Sequence, residues 1–277
     1  MMATLMRKWD EVLKNADPRV ADWFMMSTPL PSFIICFLYV VIVKLGPWLM
    51  RDRKPFEMKN VLLAYNLVMV IISAYTLEEF LNAGWLAGYS LRCEPVDYST
   101  SPQALRMAKV CWLFYITKFL ELFDTIFFIM RKKFNQVSFL HVFHHGIMPV
   151  SWWFGVKFVP GGFGTFHSTC NSFIHFMMYT YYGLAALGPE YQKYLWWKKY
   201  MTKMQIIQFI CVVIHTAQLL FIECNYPKTF VYIIGSYAFV FLVMFADFYF
   251  KTYKAKRSET QKSTHIKNGT AGKRKVN

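Results

Sequence analysis

The chain has 277 residues, 56% of them hydrophobic and 19% aromatic, and a formal net charge of +15. With a mean hydropathy of +0.27, this composition excludes an ordinary soluble globular domain and points to a polytopic membrane protein. The basic residues show no interleaving with aromatics of the kind that marks a nucleic-acid surface, so the expected partners are anionic lipid headgroups or phosphorylated substrates, with no nucleic acid.

Residues 1–28 are polar and charge-balanced, which argues against a cleavable signal and leaves the first apolar stretch to direct insertion. Seven apolar stretches follow, at roughly 31–50, 60–80, 105–130, 138–156, 167–187, 203–222 and 229–250. Each is near the ~20 residues that a bilayer-spanning helix requires. The expected fold is therefore all-α, with seven transmembrane helices in one domain over 29–250. A non-cytosolic segment over 1–28 precedes it, and a basic tail over 251–277, too poor in apolar residues to fold, follows. Arg51, Arg53, Lys54 and Lys59 follow the first stretch, Arg131, Lys132 and Lys133 the third, and Lys193, Lys198 and Lys199 lie between the fifth and sixth. The positive-inside rule puts these loops and the tail in the cytosol, and the N-terminus and the loops at 81–103, 157–166 and 223–228 across the membrane.

Two of the six cysteines, Cys93 and Cys224, fall in loops on that same non-cytosolic side and are expected to pair; Cys36, Cys111, Cys170 and Cys211 lie in helices as core fillers. The chain ends with Lys273 and Lys275 third and fifth from the terminus, the spacing of a cytosolic dilysine signal for retrieval to the endoplasmic reticulum.

Polar residues at membrane depth carry the chemistry. In the fourth stretch, His141, His144 and His145 fall at i, i+3 and i+4, within an arc of about 100° on a helix, so all three can act on one group. In the third, Lys118, Glu121, Asp124 and Thr125 share one face. A charged residue at the centre of a span costs about 2.5–3.5 kcal/mol, so these residues must pair with one another and face a polar interior. Lys118 with Glu121 reads equally as a structural ion pair or as part of a site, whereas Asp124 is placed to orient an imidazole as a triad carboxylate does. The fifth stretch presents Asn171, His175, Met178, Tyr179 and Tyr182 on one face, with Tyr181 adding a hydroxyl. The sixth opens with Thr202, Gln205 and Gln208, which could bind a polar ligand or bridge helices; His167 and His215 are left unassigned.

These motifs, in this order, resemble the very-long-chain fatty acid elongases: Lys118-x-x-Glu121-x-x-Asp124-Thr125, His141-x-x-His144-His145, His175-x-x-Met178-Tyr179-x-Tyr181-Tyr182 and Thr202-x-x-Gln205-x-x-Gln208. The resemblance runs from Asp17-Pro18-Arg19 to the tail, and the text around His144-His145-Gly146 and Gly161–His167 looks like the branch that extends saturated and monounsaturated chains. It implies a 3-oxoacyl-CoA synthase of the endoplasmic reticulum that joins a long-chain acyl-CoA to malonyl-CoA. It further implies six of the helices forming a barrel-like bundle around a narrow acyl tunnel closed at the lumenal end. By the same analogy His144 is the nucleophile, His141 and His145 orient it or exchange its proton, and His175 faces it, with Asn171, His175 or a tyrosine hydroxyl steadying negative charge. CoA would lie at the cytosolic mouth among Arg131, Lys132, Lys198 and Lys199, near Trp196 and Trp197. No cofactor or metal is implied beyond the two CoA substrates. The product calls for the reductases and dehydratase of the elongation cycle as neighbours, and a homodimer stays open.

Two other classes fit parts of the sequence. Di-iron desaturases and hydroxylases also use H-x-x-H-H, but draw eight or more histidines from several boxes; this chain has seven in all and one box. A seven-helix transporter or receptor fits the topology but gives no reason for three clustered histidines.

Overall fold

The computed structural model describes residues 2–255; the tail from residue 256 on, with the dilysine pair Lys273 and Lys275, lies outside the described residues. The described chain is helical, with α1 (Met2–Leu13), α2 (Leu30–Leu49), α3 (Lys59–Phe80), α4 (Pro102–Leu120), α5 (Leu122–Met130), α6 (Phe139–Phe158), α7 (Thr165–Leu187), α8 (Lys198–Ala217) and α9 (Lys228–Tyr249). Four of these segments, Leu30–Leu49, Lys59–Trp85, Lys198–Leu220 and Lys228–Tyr253, are long and apolar enough to cross a bilayer. The protein is thus an all-helical, multi-pass membrane protein. The other three predicted stretches also form helices, but they carry the polar residues and fall below that apolarity.

The polar helices are enclosed by the apolar ones. Helix α3 packs along α7, α2 along α6 and α5, and α8 between α9 and α7. The α3 residues Asn66, Met69, Ser73, Thr76 and Phe80 are buried at a near-heptad spacing, and Thr76 donates its hydroxyl to Ser172 of α7 at 3.2 Å. The outer faces of α2 and α3 expose large residues such as Phe37, Trp48, Leu67 and Ile71, as a lipid-facing surface requires. The single predicted stretch at 105–130 is two helices, because the chain tightens at Glu121, whose carbonyl accepts from Asp124 N three residues on at 3.2 Å.

One end of the bundle is sealed by loops. Gly161 and Gly162 turn α6 into α7 with φ of 149° and 63°. A side chain at Gly162 would collide with the backbone of Glu94 and Pro95, and Phe163 N donates to Glu94 O at 2.8 Å. The N-terminal segment closes the same end. Three consecutive carbonyls, of Phe24, Met25 and Met26, accept from Trp112 Nε1, Trp153 Nε1 and Lys157 Nζ at 3.0, 3.0 and 3.1 Å. Asp17 N caps the end of α6 through Lys157 O at 2.8 Å, and Val20 and Met26 are wholly buried.

Cys93 and Cys224 form a disulfide that ties the α3–α4 loop to the α8–α9 loop, with a Cα–Cα distance of 5.5 Å. Cys36 and Cys111 are buried, but Cys211 is exposed on the outer face of α8 and is not the core filler expected. The last helix runs on through Phe250–Ala255, past the predicted boundary at 250, and Lys251 pairs with Asp247 one turn back at 2.8 Å.

Because the disulfide closes a loop of 131 residues, Cys93→Ser is expected to lower the melting temperature of the detergent-solubilised protein by about 4 °C or more, and reductant to do the same to the wild type. A thermal scan in which neither treatment shifts the transition would show that the cross-link is dispensable.

Candidate active site

The site is built around one carboxylate. Glu121 is 1% exposed, and Lys118, one turn earlier on α4, places its ammonium 2.6 Å from Glu121 Oε1. The same ammonium donates to Asn171 Oδ1 of α7 at 3.3 Å and lies 4.0 Å from the centre of the Phe114 ring. His175, one turn along α7 from Asn171, brings Nδ1 to 3.1 Å from Glu121 Oε1. From the opposite side, α6 delivers His145, with Nδ1 4.0 Å from Glu121 Oε2. Burying Lys118 and Glu121 is tolerable only because each charge meets the other and further polar groups.

The three α6 histidines form a contiguous set, with ring centroids of His141 and His145 4.3 Å apart and those of His144 and His145 5.2 Å apart. Ser138 caps the helix by accepting from His141 N at 3.2 Å, which fixes where the cluster begins. His141 is held by Thr125: its Nε2 lies 2.7 Å from Thr125 Oγ1, which lies 2.9 Å from the hydroxyl of Tyr39 on α2. His144 packs against Phe241 of α9 at 4.8 Å between ring centroids. His144 Nδ1, His145 Nδ1 and Glu121 Oε2 are all buried without a hydrogen-bond partner. Such a group of unengaged lone pairs is costly in a folded interior and is the mark of a site awaiting a substrate.

Asp124 does not orient an imidazole. It accepts from Tyr179 OH at 2.8 Å, on the side of α5 where Tyr65 lies 6.0 Å from Tyr179 between ring centroids, and the carboxylate that holds a histidine is Glu121. The reason is register: residue 121 shares the α4 face with Lys118, whereas residue 124, beyond the tightened turn, is rotated towards α3. Tyr181 and Tyr182 lie in a separate apolar cluster with Trp197 and Leu195. Gln205 and Gln208 make no hydrogen bond among the described residues, and Gln208 Nε2 is buried and unpartnered. Arg131 ends α5, and Lys198 and Lys199 open α8, exposed, at the end of the bundle where α6 begins. His141 is the third residue of α6, so these cations flank the histidine end.

Two groups escape the sequence reading. Tyr39 and Tyr65 sit in otherwise apolar helices, and only the fold shows that they brace Thr125 and the α4 backbone; Tyr65 OH donates to Leu120 O at 3.1 Å.

From His144 a cavity of about 580 Å³ runs between α6 and α9 towards the sealed end of the bundle. It is walled by Ile147, Met148, Phe209 and Phe241 near the histidine and by Val159, Tyr226 and Phe230 at the far end. The arrangement couples a nucleophile-bearing cluster to a long apolar slot. Ligand atoms of Glu121, His144 and His175 lie within 4.8 Å of one another, a spacing from which a cation could be gathered. Lys118, however, already supplies that carboxylate with a positive charge at 2.6 Å, which a divalent ion would have to oppose.

Fold and site together define a multi-pass membrane protein whose polar helices bury a histidine–glutamate–lysine centre at the head of an acyl-sized slot. The chain belongs to the ELO family, described as GNS1/SUR4, which matches residues 24–261. It is 56% identical over 250 residues to very long chain fatty acid elongase 7 of Rattus norvegicus, covering 89% of each chain. It is 53% identical over 266 residues to elongase 7 of Drosophila melanogaster, covering 95% of this chain and 80% of that one, and 48% identical over 261 residues to elongase 1 of Homo sapiens, covering 92% and 93%.

If the Lys118–Glu121 pair is the electrostatic hinge of the site, Glu121→Leu alone strands a buried ammonium and is expected to destabilise the protein by about 3–5 kcal/mol, while Lys118→Met with Glu121→Leu recovers most of that loss. Thermal midpoints of the single and double variants check this; a double variant no more stable than the single one would contradict it.

Proposed function

We propose that the protein is the condensing enzyme of fatty acid elongation, joining a long-chain acyl-CoA to malonyl-CoA through an acyl-histidine on His144, with release of CO2 and CoA. The observation that carries the reading is His144 itself, half-buried beside Glu121 and His175 and standing at the head of the apolar cavity. Its relatives are named very long chain fatty acid elongases, which fits a slot shaped for an acyl chain.

The first half-reaction follows from the geometry. A ring nitrogen of neutral His144 attacks the thioester carbonyl, the C–S bond breaks, and the imidazole proton passes to the departing thiolate so that CoA leaves as the thiol. Histidine 145, with an unengaged Nδ1 4.0 Å from Glu121 Oε2, is placed to relay that proton. Asn171 accepts from Lys118 through Oδ1, which leaves its two amide N–H donors for the oxyanion of the tetrahedral intermediate. In the second half-reaction malonyl-CoA loses CO2, the resulting enolate attacks the acyl carbon, and the imidazole of His144 departs, giving 3-oxoacyl-CoA. His175, its Nδ1 3.1 Å from Glu121 Oε1, is placed beside the reacting centre, and its Nε2 can donate to the enolate oxygen only when the ring carries both protons. The closed apolar slot keeps water from the acyl-imidazole.

Cavity length bounds the substrate. From His144 to Val159 on α6 is fifteen residues, or about 22 Å at the ~1.5 Å rise of a helix. An extended chain advances roughly 1.2 Å per bond, so about 18 bonds fit. Arg131, Lys198 and Lys199 at the histidine end are suited to the phosphates of CoA. In this reading the protein resides in the endoplasmic reticulum membrane with its N-terminus lumenal and C-terminus cytosolic. Reductases and a dehydratase must act on its product.

Initial rates with stearoyl-CoA and malonyl-CoA, measured on purified protein by mass spectrometry of 3-oxoeicosanoyl-CoA, are expected to give parallel double-reciprocal lines and to fall at least 1,000-fold in His144→Ala, on the scale set by removal of catalytic nucleophiles. Intersecting lines with an active variant would remove the covalent step.

A further inference from the structure

An acyl slot serving only methylene groups needs no polar lining, yet this one has a polar belt partway along. Ser151 of α6 donates to Ile147 O at 3.0 Å and meets the hydroxyl of Tyr237 on α9 at 3.1 Å. On the adjacent wall, His167 of α7 lies against Trp152, their ring centroids 5.9 Å apart and planes 14° from parallel. Ser151, Trp152, His167 and Tyr237 all line the cavity. His167 makes no hydrogen bond among the described residues, so its ring N–H and lone pair face the slot. Ser151 shares its hydroxyl proton between Ile147 O and the Tyr237 oxygen, so the O–H of Tyr237 stays free to donate into the slot. Polar groups turned into a dry apolar slot are unfavourable unless the bound chain answers them.

Two helices give the depth of the belt independently. Ser151 and Trp152 lie seven and eight residues beyond His144 on α6, and His167 lies eight residues from His175 on α7, so each places the belt about 10–12 Å from the reacting histidines. At roughly 1.2 Å per bond this is about nine or ten bonds from the thioester carbon.

Resting on the condensation reading above, we propose that the His167–Tyr237–Ser151 belt is a binding site for a mid-chain oxygen, so that the enzyme accepts acyl-CoA substrates carrying a hydroxyl near the tenth carbon. Such a hydroxyl accepts from the Tyr237 O–H or from the imidazole N–H of His167 and donates to the free nitrogen of that ring. A hydroxyl nearer the thioester, between His144 and the belt, meets the apolar walls of Ile147, Met148, Phe209 and Phe241.

The test is elongation of three probes by the purified full chain with malonyl-CoA: stearoyl-CoA, 10-hydroxystearoyl-CoA and 5-hydroxystearoyl-CoA. Product is read by mass spectrometry, and each hydroxylated probe is expressed as the ratio of its kcat/KM to that of stearoyl-CoA. The expected ratio is about tenfold higher for the 10-hydroxy than for the 5-hydroxy chain, and Tyr237→Phe and His167→Phe each lower the 10-hydroxy ratio towards the 5-hydroxy value. Using ratios cancels any general loss of activity in a variant, and the positional comparison in the wild type needs no variant. Equal ratios for the two positions would overturn the belt as a site, as would a 10-hydroxy ratio unmoved by both substitutions. A failure of the condensation reading is distinct from either, because then stearoyl-CoA itself yields no product.

Discussion

The carboxylate of Glu121 is the constraint from which the rest of the site follows. A charge so deep among membrane helices must be answered, and it is answered from two helices, by Lys118 on α4 and by His175 on α7, while His145 on α6 stands 4.0 Å away. Lys118 also reaches Asn171, and the contact of His175 ties α7 to α4. One ionised group thereby aligns the elements that share the chemistry.

A second polar axis supports the first, meeting it where the ring of His141 packs on His145 and that of Tyr179 on His175. Thr125 links His141 to Tyr39, joining α5 and α6 to the apolar α2, and Asp124 engages Tyr179, joining α5 to α7. These contacts make the polar helices stiff where a nucleophile must hold its place, and the apolar helices around them meet the lipid. At the far end the disulfide, the Gly161–Gly162 turn and the docked N-terminal segment cover the bundle.

Much of this was legible in the sequence because membrane depth makes polarity informative. A His-x-x-His-His run, or a lysine and glutamate one turn apart inside an apolar stretch, has few inexpensive explanations, and the fold brings the two motifs together. The pairing of Cys93 with Cys224 followed from loop sidedness, and the two are joined. What stayed hidden depends on helix rotation and on packing between segments distant in sequence. Asp124 and Glu121 share a face on an ideal helix, yet the tightened turn between α4 and α5 sends one to Tyr179 and leaves the other with the histidines. Tyr39 and Tyr65 are aromatics among dozens, and only contact with Thr125 and Leu120 O sets them apart. The docking of residues 17–26 was equally invisible, since it rests on backbone carbonyls that any residue supplies.

The central claim is that this buried, charge-aligned cluster makes His144 a covalent acyl carrier. Incubating the purified protein with a long-chain acyl-CoA alone, then measuring intact and peptide masses, tests it most directly. The account predicts free CoA released in step with an acyl adduct on the peptide bearing His144, and an adduct discharged on adding malonyl-CoA. Full condensation activity in a preparation that forms no adduct and releases no CoA until malonyl-CoA arrives would contradict it, and would leave the histidines as acids and bases in a ternary complex.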